Sequence, residues 1–262
     1  MIRNRPSIKE LAESIALGYQ EKITPLNSIL EEENLSVFYD NYGVDTFDGM
    51  TVYDKGNFYI HINTDLGNRP DSARGRFTLA HELGHYYIDS HRIGLKNGLL
   101  DPHPSRTNQK QFNKIEREAD FFASCLLMPE ERFSNDVYRK SFDIDLIDFL
   151  KEEYQVSRTA CAFRFADIGN HDIMIIYAEN GKVKWNYCSE YFRYKYLLYG
   201  NNIAPNTVMG EYFKNITDNL FKREEIWAVD IFNYVKDEDI QKKFFEHCIT
   251  YKGRALSIIW EE

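Results

Sequence analysis

Apolar residues recur along this chain at helical intervals in some stretches and at every second position in others, and the alternation divides it into elements. Ile8, Leu11, Ile15 and Ala16 share one face over residues 7–20, with Ser7 and Glu10 placed as a capping box, which predicts an amphipathic helix. A second apolar segment, 23–30, runs into Glu31-Glu32-Glu33-Asn34, read as a solvated helix end. Residues 37–39, 49–53 and 58–63 read as strands, the last two joined by Asp54-Lys55-Gly56-Asn57, a good hairpin turn. Helical rhythm returns after Pro70, carried by Phe77, Ala80, Gly84 and Ile88, with Asp71 or Ser72 as N-cap. Glycines and prolines at 94, 98, 102 and 104 predict a loop or partial lid over 93–111. A further helix follows over 113–127, with Ile115, Ala119, Phe122 and Leu126 as its stripe and Pro129 as its stop.

Residues 143–154 and 157–167 read as two helices around Gln155-Val156, with Ser157 as N-cap and Gly169 beyond the end. Such a pair can read DNA, but the first helix is acidic and the second offers only Arg158 and Arg164, so packing behind the preceding helices is the better reading. From His171 the texture changes. Residues 172–177 and 182–187 form a hairpin about Asn180-Gly181, 207–221 looks helical, and 225–234 and 254–260 look like strands. The pattern predicts an α+β protein with a first region over 1–170 and an appended α+β accessory domain over 171–262. The aromatics of that domain, among them Trp185, Tyr191, Phe192 and Tyr194, suit core, partner surface or a ligand pocket.

The candidate chemistry lies in the helix after Pro70. His81-Glu82-Leu83-Gly84-His85 fits H-E-x-x-H, and on a helix residues i and i+4 lie one above the other, so both histidines can reach one metal ion. Zinc in such a site lowers the pKa of its water from ~15.7 towards ~7. Glu82, one position on, is placed to act as the general base. Gly84 costs roughly 1 kcal/mol in a helix interior relative to alanine, which points to close approach of another backbone or of the site.

A catalytic zinc needs a third protein ligand. His91 has metzincin spacing, but Ile88 stands where that pattern has its turn-permitting glycine, and a continuing helix would carry His91 off the face of the other two, so it is a poor ligand. Glu116 and Asp120 are the alternative: they share a helical face beside small Ala119 and Ala123. Glu116 would bind the metal and Asp120 would accept from the far nitrogen of a ligand histidine. The competing reading is a solvated acidic face. Glu118 points away from Glu116 and into water on this reading, and His61, in a strand, is structural. His103, in the loop between the two helices, is a candidate transition-state donor against a structural or solvated role.

Arg76-Phe77-Thr78-Leu79-Ala80-His81-Glu82-Leu83-Gly84-His85, then Glu116-Arg117-Glu118-Ala119-Asp120-Phe121-Phe122-Ala123 and Leu126-Leu127-Met128-Pro129, resembles the ImmA/IrrE family of zinc metallopeptidases. The resemblance covers roughly residues 35–165. It implies a zincin-like catalytic region: N-terminal helices, a small antiparallel sheet, the H-E-x-x-H helix, a glutamate-ligand helix and a helix pair. It also implies one zinc per chain on His81, His85 and Glu116, with Glu82 as catalytic base. Members with known roles cleave or inactivate helix-turn-helix repressors, often near a phage, mobile-element or stress regulon, which implies a repressor encoded nearby as the substrate. In some relatives the C-terminal region looks like a GAF-type sensor, a likeness that is weak here and names no ligand.

Charge narrows the remaining options. Forty-one acidic against 32 basic residues give a net charge of −9, which disfavours direct nucleic-acid binding and gives no attraction to an anionic membrane. Four widely spaced cysteines without a CxxC pair, one of them in the apolar helix at Cys125, suit a reducing compartment. The first residues lead into an amphipathic helix rather than a signal peptide, so a cytoplasmic enzyme is expected. In brief, the sequence predicts a zinc-dependent endopeptidase acting on a regulatory protein. The alternative is a zinc-containing regulator that acts by binding a repressor or toxin. In many zinc peptidases the sheet offers an edge strand to an extended substrate, and this sheet is expected to do the same.

Overall fold

The structure, a computed structural model, describes residues 5–100, 114–214 and 220–261. It is a mixed α+β fold that divides into two compact units: Met1–Asp136 with Phe149–Ala160, and Val137–Asp148 with Cys161–Glu262.

In the first unit, α1 (Arg5–Leu17) and α2 (Leu26–Glu32) precede the strands β1 (Ser36–Asp40), β2 (Gly49–Asp54) and β3 (Asn57–Asn63). Ser7 lies inside α1, which is already helical at Arg5, so it is not the cap. The acidic end of α2 is not wholly given to solvent, since Glu33 accepts from the Tyr86 hydroxyl at 2.7 Å. β2 and β3 are joined by a tight turn in which Lys55 and Gly56 both take positive φ, 47° and 91°, the requirement of a type I′ hairpin.

The sheet order is β1-β3-β2, and the expected all-antiparallel sheet is corrected to a mixed one: β1 runs parallel to β3. The reason is the connection over 41–48. It crosses the end of β3 and returns the chain on the far side, leaving the near edge of β3 to β1. Buried Asn63 at the end of β3 pins this crossing. Its side-chain amide donates to the Gly43 and Phe47 carbonyls at 2.8 and 2.9 Å, and its oxygen accepts from Tyr42 N at 3.2 Å. His61 is held structurally, its Nδ1 2.8 Å from the Tyr42 hydroxyl and its ring stacked on Phe38.

α3 (Ala73–Tyr87) follows, with Ser72 as the N-cap, its hydroxyl accepting from Gly75 N at 3.0 Å. It breaks at Ile88, which is extended. A new helix, α4 (Asp89–Lys96), then occupies the start of the segment expected to be loop. Gly94 does not interrupt α4; its bare Cα admits the Leu100 side chain, which would lie 2.5 Å from a Cβ there. α5 (Lys114–Leu127) and α6 (Glu130–Val137) come next, followed by α7 (Ile144–Tyr154) and α8 (Arg158–Ile168). Leu79, Ala80 and Leu83 of α3, Ala119, Phe122, Ala123 and Leu126 of α5, and Ile60 and Ile62 of β3 are buried as the core of this unit.

The second unit is built on a five-stranded antiparallel sheet in the order β5-β4-β8-β7-β6. The strands are β4 (Ile173–Glu179), β5 (Lys182–Cys188), β6 (Phe221–Trp227), β7 (Lys243–Tyr251) and β8 (Arg254–Glu261). The Asn180-Gly181 hairpin forms as read, with φ of 50° and 74°. The strand expected over 225–234 ends at Trp227 and gives way to a short helical turn, α10 (Ala228–Ile231). The helix expected over 207–221 is α9 (Val208–Lys214), with β6 already begun at Phe221. The segments 137–148 and 161–170 belong to this unit: Phe142 packs against Phe165, His171 and Trp260, and Phe163 against Trp185 and Tyr187. Arg164 is fully buried, so one of the two basic residues of α8 is withdrawn from any surface. None of the four cysteines is in a disulfide, and among the described residues no helix is long and apolar enough to cross a membrane.

Candidate metal centre

One turn of α3 separates His81 from His85, and α5 crosses that face closely enough to add a third donor. The crossing depends on Gly84: a Cβ there would lie 3.2 Å from Ala119 Cα and 3.3 Å from its carbonyl oxygen. With the two backbones this near, Glu116 reaches the histidines. His81 Nε2 and His85 Nε2 are 3.1 Å apart, Glu116 Oε2 lies 3.3 Å from His81 Nε2, and Glu116 Oε1 lies 3.5 Å from His85 Nε2. A tetrahedral ion with bonds of about 2.1 Å keeps its ligand atoms about 3.4 Å apart, so the three donors already stand along the edges of such a figure. Two imidazoles and one carboxylate match the donor set of a catalytic zinc site that keeps a fourth position open. The residues therefore fit a zinc ion.

Asp120, one turn beyond Glu116, places Oδ1 2.8 Å from His81 Nδ1. An N–H at Nδ1 donating to that carboxylate leaves the Nε2 lone pair for the metal and fixes the ring plane. Burial disfavours a proton on His81, yet the carboxylates of Asp120, Glu116 and Glu82 outweigh it and raise its pKa well above the ordinary histidine range. The centre is built for positive charge. Glu82 is fully buried beside it and accepts from the Thr51 hydroxyl of β2 at 2.7 Å.

His91 stands outside this group. Its Nε2 is 3.2 Å from Glu118 Oε2, both residues are buried, and its ring lies 5.2 Å from that of His85. Burial holds the His91 pKa down against the pull of Glu118. Glu118 thus corrects the expectation of a solvated side chain: after the break at Ile88, α4 brings His91 to Glu118, which also pairs with Lys114 at 3.3 Å. His103 falls outside the described residues.

Sequence reasoning missed the partners supplied by β2 and its approach. Thr51 is one. Asp48 is another, accepting from Arg74 Nη2 at 2.7 Å and from Asn68 Nδ2 at 2.8 Å, while Asn68 Oδ1 accepts from Thr78. In the sequence Asp48 and Arg74 are 26 residues apart, and no spacing pairs them.

No curated protein sequence matches the chain. A solved structure described as a Mycobacterium tuberculosis transcriptional regulator shares the fold, with a TM-score of 0.62 and 13% identity, over 97% of this chain and 76% of that one. A family model described as the IrrE N-terminal-like domain, Peptidase_M78, matches residues 31–166, just over half of the chain. The protein belongs to that family, whose members are of the zinc metallopeptidase type.

Proposed function

We propose that the protein is a zinc-dependent endopeptidase making limited cuts in a regulatory protein, a helix-turn-helix repressor encoded nearby. The observation that carries this reading is the spacing of the His81, His85 and Glu116 donor atoms around one point with Glu82 alongside. When bound, zinc supplies Lewis-acid activation of water and of the scissile carbonyl. Asp120 holds the His81 ring in the tautomer that leaves Nε2 free to bind. Glu82 takes the proton of the attacking water and returns it to the leaving amine, which balances the hydrolysis of one peptide bond. β2 is an edge strand beside Glu82 and suits main-chain pairing with an extended substrate. Among the described residues of 171–262 none joins the candidate ligand group, and we assign this segment an accessory role in choosing what is cut, or when.

The similar fold of a protein named a transcriptional regulator favours a regulatory setting and keeps a second reading in play, in which the same site is structural and the protein acts by binding its partner. Glu82→Gln separates the two. On the peptidase reading zinc content persists and cleavage of the repressor falls by ~10²-fold or more. A Glu82→Gln protein that complements a deletion as well as wild type does would decide for binding. Glu116→Ala is expected to lose most of the zinc, as measured by metal analysis of the purified chain.

A further inference from the structure

We propose that β2 latches the Glu82 carboxylate in place, and that Thr51 is a positioning residue for hydrolysis; the inference rests on Glu82 being the base. Three contacts at i, i+4 and i+8 tie one face of α3 to β2 and to Asp48, the residue just before it. Arg74 donates to Asp48, Thr78 reaches Asp48 through Asn68, and Glu82 meets Thr51. This face is turned about 100° from the one carrying His81, so the strand reaches the base without competing for the metal ligands.

At Glu82 the fit is close on two sides. A Thr51 hydroxyl carries one proton and faces two acceptors, Glu82 Oε2 at 2.7 Å and the Glu82 carbonyl oxygen at 3.1 Å, and the shorter contact assigns the proton to the carboxylate. Gly49 closes the other side. A Cβ there would fall 2.5 Å from Glu82 Oε1, 2.8 Å from Glu82 Cγ and 2.8 Å from Thr78 Cγ2, so only glycine lets the strand lie against the side chain. A glutamate has three rotatable side-chain bonds. One held between a glycine backbone and a hydroxyl presents its carboxylate in a fixed plane before substrate arrives. Positioning of this kind raises kcat and leaves KM and metal binding alone.

Thr51→Val keeps the shape and removes the donor, while Thr51→Ser keeps the donor. On full-length, zinc-loaded protein, Thr51→Val is expected to lower kcat ~10–100-fold with KM and zinc content unchanged, and Thr51→Ser to restore most of it. A second measurement does not use activity: in denaturant unfolding, Thr51→Val destabilises the wild type more than it destabilises a Glu82→Ala protein. Additive unfolding effects overturn the contact. Coupled unfolding with unchanged kcat in Thr51→Val overturns the positioning role while leaving the peptidase reading intact. Wild type cleaving no faster than Glu82→Gln overturns the peptidase reading and the positioning role together.

Discussion

At the scale of the residue, His81 concentrates the chemistry. Three carboxylates raise its pKa although it is buried, so the metal-free chain holds a second proton on this imidazole to higher pH than an ordinary histidine does, and zinc must displace it. Zinc uptake near neutral pH is expected to release about one proton per ion, measurable by calorimetry in buffers of different ionisation enthalpy. Asp120→Ala removes the acceptor at Nδ1 and should weaken zinc binding ~10–100-fold in competition with a chelator. His81, Glu82 and His85 could be picked out from sequence because helical spacing alone brings them together, and the Glu116–Asp120 pair because it repeats that spacing. Glu118 could not. Its surroundings depend on where α4 turns after Ile88, and nothing in the local pattern distinguishes a charged residue facing a buried histidine from one facing water.

At the scale of the element, the approach of α3 to α5 decides whether the site exists. Gly84→Val sets side-chain atoms against Ala119 and Phe122, and overpacking of this kind costs about 1–3 kcal/mol. Denaturant unfolding should show that loss, with zinc content falling because Glu116 retreats with α5.

In the second unit β7 carries a buried glutamate that hid the strand from a reading of apolar alternation. Glu246 accepts from Val208 N at 2.6 Å and from the Ser257 hydroxyl at 2.6 Å, capping α9 from inside the sheet. Burial raises its pKa above 4.5 despite these bonds. The folded form therefore binds this proton more tightly than the unfolded one. The stability linked to it is complete below the unfolded pKa and is lost as pH rises through the folded value. Comparing melting temperatures across pH 8 to 4, wild type should gain on Glu246→Gln as the pH falls; parallel curves would refute the linkage. The hairpins were legible because Lys55-Gly56 and Asn180-Gly181 both need positive φ, a demand that composition reveals. The pairing of β1 with β3 was not legible, since it is fixed by Asn63 gripping a loop some twenty residues earlier.

At the scale of the molecule, the sequence read a boundary near residue 170, where the texture of the chain changes. The two compact units alternate along the chain, and the segments 137–148 and 161–170 group with the strands that follow, where Phe142 packs on Phe165, Trp260 and His171. A protein ending at Asn170 exposes these aromatics, and we expect it to be insoluble or zinc-free on purification. Soluble, zinc-loaded truncated protein would show that 137–148 and 161–170 can settle without the strands that follow.

The chain passes from one unit to the other at residues 136–137, 148–149 and 160–161. A single genetic crossover therefore cannot exchange one unit and leave the other intact: every junction within the chain divides at least one of the two units between different parents, and a junction between residues 137 and 160 divides both. Lineages that retain this weave should diverge in the second unit by substitution in place, rather than by acquiring a ready-made replacement.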